Sequence, residues 1–142
     1  MLKKTLMITL VILVMVGSFG CKDQDNQTIS FNSVVDLDNL PEGVVAWVNS
    51  SLQTFGGQTL IDGENLYLLV TYGEKPTGGF SVEITEIVKE KDKLVVTANF
   101  NEPGKDEMVT QALTYPYSLV IIEASDLPVE FKATGAETSV TQ

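Results

Sequence analysis

The chain has 142 residues, no histidine and no arginine, and its 19 acidic residues against nine lysines give a formal net charge of −10. That balance argues against nucleic acid as a partner, because a phosphate backbone is held by clustered Lys and Arg, whereas these lysines stand among acids, as in Glu90-Lys91-Asp92-Lys93. Without His, the common Ser-His-Asp and Cys-His nucleophile arrangements and imidazole metal sites are also out of reach.

The chain opens as an export signal. Met1-Leu2-Lys3-Lys4 is a positive n-region, the run from Leu6 to Val16 is apolar, and Gly17-Ser18-Phe19-Gly20 leads to Cys21, the only cysteine. The apolar run is shorter than the roughly 18 residues a spanning helix needs. Two processing routes fit. Gly20-Cys21 is similar to the end of a bacterial lipobox, in which the cysteine is acylated and becomes the anchor, although Ser18 and Phe19 depart from the usual residues. Ser18-Phe19-Gly20 also satisfies the small-x-small pattern of ordinary secretory cleavage. A solitary cysteine at the cleavage point is hard to read as half of a disulfide in an oxidising compartment. The expected arrangement is a signal peptide over 1–20, then lipidated Cys21 and a polar tether over 21–28. This places the protein on the extracytoplasmic face of a bacterial cell membrane. Loss of Lys3 and Lys4 makes the mature chain two charges more negative, so membrane association would depend on the lipid and not on charge.

Lys22 to Thr28 is polar and aperiodic. Asp23, Asp25 and Asn26 lack the turn glycine and terminal Glu of a calcium loop, so no metal is assigned there. Asn26-Gln27-Thr28 and Asn49-Ser50-Ser51 are glycosylation sequons by pattern only. The folded domain is expected over 29–133, with a disordered tail over 134–142. It opens with a short strand around Ile29 to Val35, followed by a helix. Asp38 or Asn39 can cap that helix, Pro41 suits its first turn, Glu42 faces its positive end, and Gly56-Gly57 stops it. Val44, Trp47, Val48 and Ser51/Leu52 recur at helical spacing, a stripe that would cover a sheet face and hold Trp47 in the core.

From Thr59 onward the pattern is of strands. Asp62-Gly63-Glu64-Asn65 between Leu60-Ile61 and Leu66 to Tyr72 reads as a hairpin. Phe80, Val82 and Ile84 alternate with Ser81, Glu83 and Thr85 in a half-buried strand over Phe80 to Val88. Lys89 to Lys93 turns, and Leu94, Val96, Ala98 and Phe100 continue the apolar face until Asn101-Glu102-Pro103-Gly104 breaks it. Tyr117 to Glu123 and Val129 to Lys132 complete the set. The expected fold is mainly β, an antiparallel meander forming a sandwich or open barrel with one N-terminal helix packed on it, hence α+β.

Candidate functional residues lie in loops. In Gly73-Glu74-Lys75-Pro76-Thr77-Gly78-Gly79-Phe80, Pro76 fixes its own φ, Lys75 is biased toward extended geometry, and Gly78-Gly79 can take positive φ. In a meander this loop and the loop over 101–107 emerge at one end, while the Asp62 and Lys89 turns lie at the other. Lys75, Pro76, Thr77, Gly78, Gly79 and Phe80, with Glu102, Pro103 and Gly104, are the candidate partner-binding loops. Acid pairs such as Glu83 and Glu86 show no cleft or set separation and read as a solvated strand face. No enzyme activity and no cofactor is expected.

Gly73 to Ile84, followed by Pro103 and by Thr110-Gln111-Ala112-Leu113-Thr114-Tyr115-Pro116-Tyr117, resembles the C-terminal domain of the PrcB family. The resemblance spans about Leu40 to Lys132. It implies a β-rich accessory domain, often on a lipoprotein, and a role like that of the family's namesake, a subunit that stabilises a secreted subtilisin-like protease complex. Phe80 stands where the family usually has Tyr, so no hydroxyl contact is carried over. Lys75 to Phe80 is also similar to the Pro-Thr-Thr-Gly-Tyr loop of chagasin-type protease inhibitors, although without arginine the chain has no Arg-Pro-aromatic loop. The functional expectation is a non-catalytic protein-binding lipoprotein. A protease inhibitor and a structural cell-envelope protein without a protease partner are the alternatives.

Overall fold

A computed structural model describes residues 26–136; the expected signal peptide, Cys21 and residues 137–142 lie outside the described residues. The elements are β1 (Gln27–Thr28), β2 (Asn32–Ser33), α1 (Glu42–Ser51), β3 (Phe55–Asp62), β4 (Asn65–Tyr72), β5 (Ser81–Lys89), β6 (Leu94–Asn101), β7 (Tyr117–Glu123) and β8 (Val129–Gly135). They build an α+β fold. Two four-stranded sheets, ordered β1-β5-β6-β8 and β2-β7-β4-β3, stack as an open sandwich, and α1 covers the outer face of the second.

The placement of β4 follows from its composition. Leu66, Leu68, Val70 and Tyr72 point into the core between the sheets, while Tyr67 and Leu69 point the other way, onto Val44 and Val48 of α1. A strand apolar on both faces needs cover on both, so β4 lies in the middle layer between helix and opposite sheet. Strand β5 is apolar on one face only and sits in the outer sheet, where Glu83 and Thr85 meet solvent. The expected pairing of β4 with β5 is therefore not made. β4 pairs with β3 and β7, β5 pairs with β1 and β6, and the chain changes sheets between them. Nor is the fold antiparallel throughout, because β8 runs parallel to β6 after a crossover through β7 in the other sheet.

Other boundaries also move. The strand expected at Ile29 to Val35 is instead two short strands, β1 on β5 and β2 on β7, with Ile29 and Phe31 packed onto the core where the chain passes from one sheet to the other. Gln27 and Thr28, placed in the tether by polarity, already belong to β1. β8 extends to Gly135, past the expected domain end, because its neighbour β6 offers partners as far as Phe100. Helix α1 has Pro41 at its N-cap with no side-chain cap, and the Pro41 carbonyl accepts from Val44 and Val45 N–H at 2.9 and 3.1 Å. Asp38 and Asn39 are thus not its caps.

Gly56-Gly57 does not stop α1. It lies in β3, where a Cβ on Gly57 would come within 2.2 Å of the Phe131 ring. The two sheets close at this side by resting an aromatic on bare backbone. Trp47 is half-buried against the helix-side core, as expected, and the Ser51 hydroxyl bonds both the Trp47 carbonyl (2.9 Å) and Gln58 Oε1 (2.8 Å), tying α1 to β3. The Asp62 hairpin forms with a two-residue turn in which Gly63 takes φ +60°, the positive value that a type II′ turn requires at this position.

Candidate functional site

Two long connections cross between the sheets at one end of the sandwich. Residues 73–80 carry the chain from β4 to β5, and residues 102–116 carry it from β6 back to β7. Because Ser81 pairs with Asn101 and Thr71 with Tyr117, both crossovers start and finish beside one another. The expected meeting of these loops at one end is realised, through a sheet change where a meander was expected.

The crossovers are pinned together. Lys75 and Thr114 exchange two backbone hydrogen bonds (Lys75 N–H to Thr114 O 2.8 Å, Thr114 N–H to Lys75 O 2.9 Å), Gly78 N–H donates to Thr110 O at 2.9 Å, and the Thr114 hydroxyl donates to Thr77 O at 2.7 Å. Gly79 holds φ +84°, and a Cβ there would stand 2.7 Å from Pro103 Cβ and 2.8 Å from Val109 Cγ1. Gly79 is thus demanded twice, by its backbone angle and by the closeness of the second crossover. Gly78 is less constrained, with Thr110 atoms 3.5 Å from an added Cβ.

Beneath the loop lies an aromatic cluster. Tyr72 packs edge-on to Phe100 (4.9 Å between centroids) and to Phe80 (5.8 Å), and Phe55 leans on Phe100 at 5.5 Å. The Lys75 ammonium rests 3.8 Å from the Tyr72 ring centroid and 5.4 Å from that of Phe80, within cation–π range. Lys75 and Phe80 thus face the cluster, and Phe80 is half-buried. Of the other expected site residues, Pro76, Gly79, Glu102 and Gly104 are exposed, while Thr77, Gly78 and Pro103 are half-buried where the crossovers touch. Gly104 begins a small turn, its N–H donating to Glu107 Oε2 at 2.9 Å.

Further residues join this end that sequence reasoning did not place there as contacts. Met108 is 99% exposed and Leu113 61%, both on the second crossover. Phe55, 39% exposed, borders a recess of about 400 Å³ lined also by Gln53, Tyr72, Glu74 and Lys75. The Tyr115 hydroxyl donates to Glu74 Oε2 at 2.7 Å. That carboxylate bond, reinforced by partial desolvation and by the negative charge of Glu74, holds the Tyr115 phenol above its ordinary value. Only Leu113 and Tyr115 had a signal in sequence, the run Thr110 to Tyr117, in which Leu113 sits without a strand to bury it.

Residues 66–123 match the model of the PrcB C-terminal family. This segment is similar to the PrcB C-terminal domain. The PrcB match begins in β4 and ends on the last residue of β7, so it encloses both crossovers and leaves out α1, β3 and β8. It is narrower than the span from Leu40 to Lys132 suggested by resemblance. Searches of curated proteins and of solved structures find no match. Among the described residues, no group of three or more His, Cys, Asp or Glu could hold a metal ion, and no helix is long and apolar enough to cross a membrane.

Proposed function

We propose that the chain is a lipid-anchored, extracytoplasmic, non-catalytic binding module whose contact surface is the paired-crossover end, serving as an accessory subunit of a secreted protease complex. The observation that carries this reading is the pairing of Lys75 with Thr114 and Gly78 with Thr110, which joins the two family-like segments of the sequence into one preorganised surface. A surface already ordered loses little entropy on binding. The protease partner rests on the family alone. Bonding of Thr77 and Gly78 to the second crossover favours a broad contact over a wedge that enters an enzyme cleft, and so favours a stabilising subunit over an inhibitor.

The test is recovery of partners from the organism's own envelope extract with three tagged mature baits. These are the wild type, a Met108→Asp/Leu113→Asp variant of the crossover end, and Glu64→Lys at the opposite end. Loss of the same protein from the first variant only, with all three folded, supports the reading; identical recoveries contradict it. A stabiliser should lengthen the survival of the recovered protease, whereas an inhibitor should slow its turnover at stoichiometric amounts.

A further inference from the structure

The described chain enters the sandwich at the end opposite the crossovers. Gln27 pairs with Lys89, the last residue of β5, and that end also carries the Gly63-Glu64 turn, the 90–93 turn and Ala124, whose N–H donates to Glu64 O at 2.9 Å. The nine residues of β5 run from this entry end to Ser81 beside the crossovers, a distance of about 26 Å at ~3.3 Å per step. From Cys21 to Asn26 there are five residue steps, which span at most about 18 Å even when fully extended. Such a tether is shorter than the sandwich.

Given the lipid anchor proposed above, we infer that the crossover end points away from the membrane and that its exposed Met108 and Leu113 engage an apolar recess on a protein in the aqueous phase, not the bilayer. With the crossovers face-down, the entry point would stand higher above the lipid than the tether reaches. A flat-lying domain would need a basic flank to hold it to an anionic surface, and the chain has only lysines, spread among acids. The neighbours of Met108 point the same way. Glu102, Asp106 and Glu107 outnumber Lys105 on the same exposed loop and leave it net negative, which anionic headgroups repel and a protein with basic residues beside its recess would accept.

The test uses the full acylated chain in phosphatidylethanolamine/phosphatidylglycerol vesicles doped with headgroup-spin-labelled lipid. Met108→Cys and Glu64→Cys, both at exposed positions, each carry a fluorophore, Cys21 being occupied by lipid. The inference predicts loss of fluorescence from spin-label quenching at Glu64→Cys and none at Met108→Cys. Equal quenching at the two sites, or stronger quenching at Met108→Cys, would overturn it and point to a flat or lipid-inserted crossover end. Protein that fails to float with the vesicles would refute the anchor, and the orientation with it, while the partner-recovery experiment on the unacylated mature chain would still stand.

Discussion

Gly79 and Gly78 look alike in the sequence and differ sharply in the fold. Gly79→Ala combines an unfavourable positive φ with a Cβ inside contact distance of Pro103 and Val109, so it should cost about 1–3 kcal/mol. Gly78→Ala meets only ordinary contact with Thr110 and should stay within about 0.5 kcal/mol of wild type. Urea denaturation of both variants checks the contrast, and equal losses would mean that the crossovers are not packed as described. The same reasoning applies to Gly57. Gly57→Ala should destabilise by about 1–3 kcal/mol through collision with Phe131, and Phe131→Leu in the same chain should recover part of that loss. The Tyr115–Glu74 bond bears on pH at the crossover end. Because the phenol's folded value is raised, its contribution is complete below the ordinary tyrosine range and is lost as pH rises through the raised value. A Tyr115→Phe variant should therefore lose the wild type's extra sensitivity in alkaline unfolding.

At the scale of elements, strand β5 shows where the sequence can be read and where it cannot. Alternation placed Val82 and Ile84 on the buried face, and both are there. Continued alternation would have turned Glu86 inward. Instead the register shifts between Ile84 and Glu86, and Ile87 takes the buried position. The bulge depends on a partner distant in sequence, since Ile84 N–H donates to the Ser118 hydroxyl of β7 at 3.0 Å. Ser118→Ala should cost about 1–2 kcal/mol by leaving that part-buried donor without its acceptor, measurable by thermal or urea unfolding. No local pattern announces such a bond. The same holds for Gly57, whose role is set by Phe131 in the other sheet, and for β4, whose Leu66 to Tyr72 run marked a strand without saying which strands flank it. The hairpin at Gly63, the helical stripe and the apolar faces of β5 to β7 were legible because each is a local periodicity or a turn signal. Of the candidate site, the constrained loop and its meeting with 101–107 were legible. Met108, Leu113 and the Lys75–Thr114 pairing depend on how the two crossovers pack.

At the scale of the molecule, the entry end and the crossover end divide the labour. Near the entry end, the Lys93 ammonium joins the 90–93 turn to β8 through Glu130 at 2.5 Å, with Glu90 and Lys132 adding weaker contacts. The hydrogen bond to Lys93 holds the Glu130 carboxyl below its usual value, and the reciprocal bond raises Lys93. The carboxylate's contribution is therefore present above its unfolded range and fades as pH falls through the depressed value, while that of Lys93 fades at strongly alkaline pH. Both side chains are solvated, so Glu130→Gln should produce only a small flattening of the acid limb of stability against pH. The crossover end carries the hydrogen-bonded loops, the aromatic support and the exposed apolar knobs, and apart from Gln53 and Phe55 it lies within the family-matched segment. The most direct test of its role is site-specific photocrosslinking in the native cell, with a photoreactive residue in place of Met108 and, separately, of Glu64. The account predicts a discrete protein adduct at position 108 and none at 64. Adducts at 64 alone, or none at 108 in a folded and exported protein, would contradict it.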